Sequence, residues 1–391
     1  MIRACGRALA CALLVLTSPA VAATPAASKP ATPFDVALRN WVRANAAMTA
    51  RAYAHAAGEA ERLRTAIAAF LGAPSEATLA GARVAWMASR ASYEPTEVFR
   101  FSDGPIDGAT ALAGREGPEN RINAWPMDEA YLDSVANSPR GGLIPNLSIP
   151  MDRSLLGRAH GASDDTQVTL GFHAIEFLLW GQDRDTVTAG QRPATDYLPG
   201  DAVRERRRLC LGMMIDSLVA DLAAVAREWR PDRYGTRFTT LPRREALRRA
   251  LSGAATLSGF ELASERISVP LATHSQEDEQ SCFSDNTVRD LSSNVEGLAL
   301  VLEGDGESTG LLKLFGTLDP KLAEDLRERL DQVRQRMLEV PAPYDAIILS
   351  APDDPRRRRL EALAGELIGL SGALQRAGTR AGVTVRVGGG G

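Results

Sequence analysis

Seven stretches of this chain repeat apolar residues at three- and four-residue spacing, with arginine or acid between them: 35–71, 75–94, 199–230, 242–269, 287–303, 319–338 and 355–377. That period is the turn of an α-helix, and strand-like alternation is nearly absent. Only YDAIILS at 344–350 and VTVRV at 383–387 compete, and both are short. The chain is therefore expected to be all-α. An irregular stretch rich in Gly, Pro and Asn, from Ser102 to about Pro150, and a polar one at 183–199 separate the helices. The economical arrangement is two helical-bundle halves packed together, an N-terminal bundle over 34–198 and a C-terminal one over 199–385, with 386–391 as a disordered tail.

The N-terminus carries Arg3 and Arg7, an apolar run from Ala8 to Leu16, and small residues at Ala20-Val21-Ala22-Ala23. This is the anatomy of a secretory signal peptide, assigned to 1–22, with 23–33 as a flexible leader. Cys11 after Leu9-Ala10 suggests a lipid anchor, but the run before it is short, so a periplasmic location is preferred. No later segment supplies about 18 uninterrupted apolar residues, so no transmembrane segment is expected in the mature chain. Cys210 and Cys282 then remain, as a disulfide or as two buried thiols. With 45 basic and 49 acidic residues the chain has no positive field to attract a phosphate backbone, which argues against nucleic acid as a partner.

Three stretches concentrate groups that can do chemistry. In GFHAIEFLLWGQD, 171–183, His173 and Glu176 stand three apart in an otherwise apolar helix, expected to start at Ser163-Asp164-Asp165-Thr166 and to stop at Gly181. Thr169, His173 and Glu176 would form a polar stripe facing protein. An imidazole and a carboxylate at that spacing can reach one metal ion, or can simply satisfy each other. Neither H-E-x-x-H nor H-x-x-E-H is present. In RASYEPTEVFRFSDGPID, 90–107, Pro95 should end the helix at Glu94 and leave Glu94, Glu97, Asp103 and Asp107 at a corner. In the third stretch, 258–291, Glu261 and Glu265 share a helix face beside Arg266, and Ser284 or Asp285 makes a cap for the next helix.

Together these blocks resemble the imelysin-like family, also filed as peptidase family M75, whose mark is G-x-H-x-x-E, here Gly171-Phe172-His173-Ala174-Ile175-Glu176. YEPTEVFRFSDGPID, RINAWPMDEAYLD, SERISVPL and QEDEQSCFSDNT extend the likeness over the mature chain. The resemblance implies an all-helical fold of two halves, a periplasmic or outer-membrane location, a link to iron uptake, and a site around the H-x-x-E pair near the junction of the halves. It implies a metal set of His173, Glu176 and Glu97, with Glu94 and Asp107 mapped less firmly, and Arg266 and Glu261 as further binding residues. The ion would be iron, with copper or zinc also suited to N and O ligands, or a small iron-related ligand would take its place; a membrane-associated iron transport partner is implied. A metallopeptidase using Glu176 as general base and a non-catalytic partner-binding module are the alternatives.

Overall fold

The computed structural model describes residues 31–109 and 115–388, so the expected signal peptide and most of the leader lie outside the described residues. Two long helices open the fold. α1 (Pro33–Gly72) begins at a capping box in which Thr32 and Asp35 satisfy each other's backbone, with Pro33 pre-set for the first turn. α2 (Glu76–Tyr93) begins at a second capping box, Ser75 with Thr78, and stops where Pro95 forbids a further α-turn. The chain continues as a tight 3₁₀ turn over Glu94–Phe99, so the corner expected at Glu94 is present.

α3 (Gly171–Trp180) is buried along its whole length. Its expected start at 163–166 is wrong: those residues form a turn in which Asp164 accepts from Thr166, and the helix begins at Gly171 without a side-chain cap. Thr169 consequently lies before the helix, its hydroxyl donating to the Leu156 carbonyl, and is no part of a helical stripe. Gly171 has φ +91°, and a Cβ there would stand 2.6 Å from the Ile122 carbonyl oxygen, so both conformation and space require glycine.

α4 (Ala202–Glu228) is capped by Asp201 and packs on α1 and α3, burying Cys210, Leu211, Met214, Leu218 and Leu222. It is the one described helix whose length and composition would let it cross a bilayer. The apolar run is interrupted by Asp216 and Asp221, which pair with Arg153 and Arg121. The period over 242–269 conceals a change of winding: α5 (Arg243–Thr256) passes into a π-helical segment, Leu257–Ser268, which carries Glu261, Glu265 and Arg266. α6 (Thr287–Glu303), α7 (Pro320–Leu338) and α8 (Pro355–Arg380) complete the main helices. α8 packs on the π segment, α5 and α7.

The two short competitors for strand are not strands. Asp345–Ile348 is a helical turn. Val383 instead closes a Schellman motif on α8, its N–H donating to the Gly378 carbonyl while that of Gly382 donates to Thr379. The tail is anchored at its start, since the Arg386 N–H donates to Ser252. The described β-structure is a two-residue ladder, Gly108–Ala109 against Arg115–Glu116, and the fold is all-α. Cys210 and Cys282 are buried free thiols without a disulfide.

Close packing fixes the corner after α2. A Cβ on Gly253 of α5 would lie 2.6 Å from the carbonyl oxygens of Val98 and Arg100, and one on Gly297 of α6 would lie 2.6 Å from that of Pro95. The 3₁₀ turn is thus gripped between two glycine faces. Gly297→Ala should force it out of place and cost about 1–3 kcal/mol, read as a lowered midpoint in urea unfolding; an unchanged midpoint would refute the grip. His160 ties the segment leading to α3: its Nδ1 accepts from Thr169 N–H and its Nε2 donates to the Asn120 carbonyl. Burial lowers its pKa, so its contribution is complete above the unfolded value of about 6.5 and is lost as pH falls below it. Between about pH 7 and 5, wild type should lose more stability than His160→Gln, whose side chain does not titrate; parallel thermal-denaturation profiles would contradict this.

Candidate functional site

α3 is held from both sides, which fixes where its two polar residues point. Trp86 Nε1 of α2 donates to the Phe172 carbonyl at 3.0 Å, and Arg83 donates to the Leu179 carbonyl at its C-terminus. His173 Nδ1 then faces Glu176 Oε2 at 3.0 Å. The other Glu176 oxygen accepts from Ser284, through the backbone N–H at 3.0 Å and the hydroxyl at 2.7 Å. Ser284 therefore does not cap α6, and Asp285, at φ +53°, does not either; Asn286 occupies the cap position without a capping bond, its Nδ2 donating instead to Asp290 Oδ1.

His173 Nε2 is buried and has no hydrogen-bond partner, beneath the Trp125 ring at 5.0 Å between centroids. Burial, with Arg90 and Arg266 nearby, holds the imidazole well below its ordinary pKa. Burial also pushes the Glu176 carboxyl well above its ordinary range, against the pull of the Ser284 bonds. With Glu176 ionised and the imidazole proton on Nδ1, Nε2 carries a bare lone pair backed by a carboxylate, as in histidine–metal sites.

Next to this pair lies a buried ion network built on the corner. Arg90, wholly buried, pairs with Glu94 and Asp290, donates to Asn123 Oδ1, and stacks 5.2 Å from the Phe172 ring. Glu97 receives Arg266 at 2.6 Å, Arg100 at 3.3 Å, Asn123 Nδ2 at 2.8 Å and Asn294 Nδ2 at 3.0 Å. Burial would raise its pKa, but Arg266 and Arg100 outweigh this and hold the carboxyl well below the usual range. Glu94 goes the other way, raised by burial against Arg90, with the Glu97 charge adding to the rise. Arg266 also approaches Glu261 at 3.7 Å, and Arg100 reaches Glu119 at 3.0 Å. Five acidic side chains thus meet three guanidiniums in one buried cluster.

Of the expected site residues, Glu94, Glu97, Arg266 and Glu261 meet in this network, and His173 and Glu176 adjoin it through the charge of Arg90 and through Trp125, which packs on His173 and lines the same cleft as Arg266. Asp107 stands apart: its carboxylate accepts from the Ser102 N–H at 3.4 Å and lines a neighbouring cleft with Asp103, Glu116 and Arg248. Among the described residues, the five expected metal ligands do not gather three ligand atoms at one point. A cleft of about 360 Å³ opens beside the network, lined by Arg100, Glu119, Asn123, Trp125, Glu261 and Arg266. Arg90, Asn123, Trp125 and Asn294 were not singled out from the sequence. Arg90 reads there as one polar position on an amphipathic helix, and nothing local distinguishes it from a solvated arginine.

An all-helical protein with a buried, motif-borne His–Glu pair against a charged cleft is the class that fold and site define. The family model described as Imelysin (Peptidase M75) matches residues 49–374, and the chain belongs to that family. It is 26% identical over 302 residues to iron-regulated protein A of Synechococcus elongatus, covering 76% of this chain and 74% of the relative. In three dimensions it is similar to a protein from Parabacteroides distasonis described as an iron-regulated protein A precursor, with TM-score 0.64, 16% identity, and 89% of this chain and 97% of that chain covered. An imelysin-like protein from Psychrobacter arcticum gives TM-score 0.61 at 15% identity, covering 90% and 97%. At such identities these two likenesses speak for the fold.

Removing Arg90 tests the network. Arg90→Met keeps much of the side-chain volume but strands Glu94 and Asp290 without their cation, and should cost about 3–5 kcal/mol in urea unfolding; a loss below 1 kcal/mol, on the order expected for surface pairs, would mean that the charges are not coupled as described.

Proposed function

We propose that this protein binds a metal ion, iron in its physiological setting, with His173 Nε2 as the anchoring ligand, and that it serves iron acquisition at the bacterial cell envelope. The observation that carries this reading is the unpartnered Nε2 in a buried site whose other ring nitrogen faces Glu176. A buried polar atom without a partner is costly, and a ligand is the ordinary remedy. Glu176 has one oxygen on His173 and the other on Ser284, so its role is to orient and polarise the imidazole. Glu97 supplies a second donor by surrendering Arg266, for which Glu261 stands 3.7 Å away as an alternative partner. The surplus of carboxylates favours a cation over an anion. The name of the Synechococcus relative, iron-regulated protein A, supports iron as the ion.

Export by the signal peptide at 1–22 and delivery to a membrane-associated iron transporter complete the proposal. The peptidase alternative needs Glu176 free to activate water, and its commitment to His173 and Ser284 gives coordination the better support.

Isothermal titration with ferrous, cupric and zinc ions tests the reading. Wild type should bind one ion that His173→Ala does not, and Glu176→Gln should weaken it by roughly 10–100-fold. Identical isotherms for wild type and His173→Ala would end the proposal, whatever other ions the chain takes up.

A further inference from the structure

A second cluster lies outside this network. Asp183, just past the end of α3, Asp285, in the turn before α6, and Asp345, at the start of the short helical turn, bring one carboxylate oxygen each within 4.8 Å of one another. They come from three segments far apart in the chain. Asp345 is fully buried, and Asp285 Oδ1 is sealed from solvent without a hydrogen-bond partner. The Gln276 side-chain amide reaches into the group, its Nε2 2.9 Å from Asp345 Oδ2 and 3.0 Å from the Asp185 carbonyl oxygen.

An independent observation points to a ligand here. Glu279 is 1% exposed, has only the neutral Thr287 hydroxyl beside it to offset burial, and its strongest charged neighbours are Asp345 and Asp285, followed by Glu176, all of them acids. Asp285 likewise has Asp183, Asp345 and Asp185 as its leading charged neighbours, all of them acidic. In this arginine-rich chain the buried acids Glu94, Glu97, Asp133 and Asp290 are each met by a guanidinium. Four carboxylates facing one another without that remedy repel strongly, and a divalent cation would reverse the sign of the interaction.

We propose that Asp183, Asp285 and Asp345 form a structural site for a hard divalent cation of the calcium class, separate from the His173 site. The donors are all oxygen, which suits calcium, and rotation of the Gln276 amide would present its oxygen beside the Asp185 carbonyl. Calcium accepts six to eight oxygens in irregular geometry, whereas magnesium demands a small regular octahedron, so calcium is the preferred occupant. A bound ion ties the end of α3 to the turn that carries Ser284, and so steadies the segment on which Glu176 depends.

Equilibrium dialysis of the mature chain against calcium, with thermal unfolding alongside, tests this. Wild type should bind one calcium ion and unfold at higher temperature with calcium than with equimolar magnesium. Asp183→Asn and Asp345→Asn should each lower calcium affinity at least tenfold, and Asp285→Asn should raise the metal-free midpoint by removing one repelling charge while abolishing the calcium response. His173→Ala should bind calcium as wild type does, so failure of the iron reading leaves this one standing. Absence of calcium binding at millimolar concentration, equal affinity in the Asn variants, or equal stabilisation by magnesium would each overturn the assignment.

Discussion

The structure around the site depends on one buried cation. Arg90 cannot shed its charge, and in its sealed position it must be matched. Glu94 and Asp290 match it, Asn123 takes a further donor, and the rings of Trp86, Tyr93 and Phe172 lie 5.2–6.0 Å from the guanidinium. Those partners belong to α2, the 3₁₀ corner, α3, α6 and the loop between corner and motif. Breaking a buried pair is far costlier than never having built it, so these elements can be displaced only together.

Geometry around the corner follows from that constraint. Glu97 is positioned by Arg266, Asn123 and Asn294, and Gly253 and Gly297 pack against the carbonyls of Pro95, Val98 and Arg100 on either side of it. Arg266 reaches it from a π-helical segment, a winding often found at functional sites because it sends a side chain where the α-ladder would not. The neutral imidazole of His173 sits against this charged assembly with only Glu176 to orient it.

The helices were legible in the sequence because their periodicity is strong: α6 runs over the expected 287–303, and Pro95 ends α2 where its ring requires. The start of α3 is hidden because Ser163–Thr166 looks like a cap, yet Asp164 is spent on a local turn, and the helix begins at a glycine with positive φ. The π segment was invisible, since apolar spacing hardly separates it from an α-turn. Of the site, the motif pair and the corner acids could be found as residue types, but what each acid touches depends on long-range packing. Ser284 reads as a cap because a hydroxyl before a helix usually is one, but it turns to a carboxylate 108 positions earlier.

That long reach has a practical corollary. Glu176 draws its hydrogen bonds from Ser284, and Arg90 draws part of its charge balance from Asp290, so each piece of the first 198 residues is completed by the last third of the chain. A fragment ending before residue 199 would contain every letter of G-x-H-x-x-E and yet leave Glu176 without its Ser284 bonds and Arg90 with one of its two carboxylates missing. Grafts, truncations and half-length expression would therefore mislead about what the motif does.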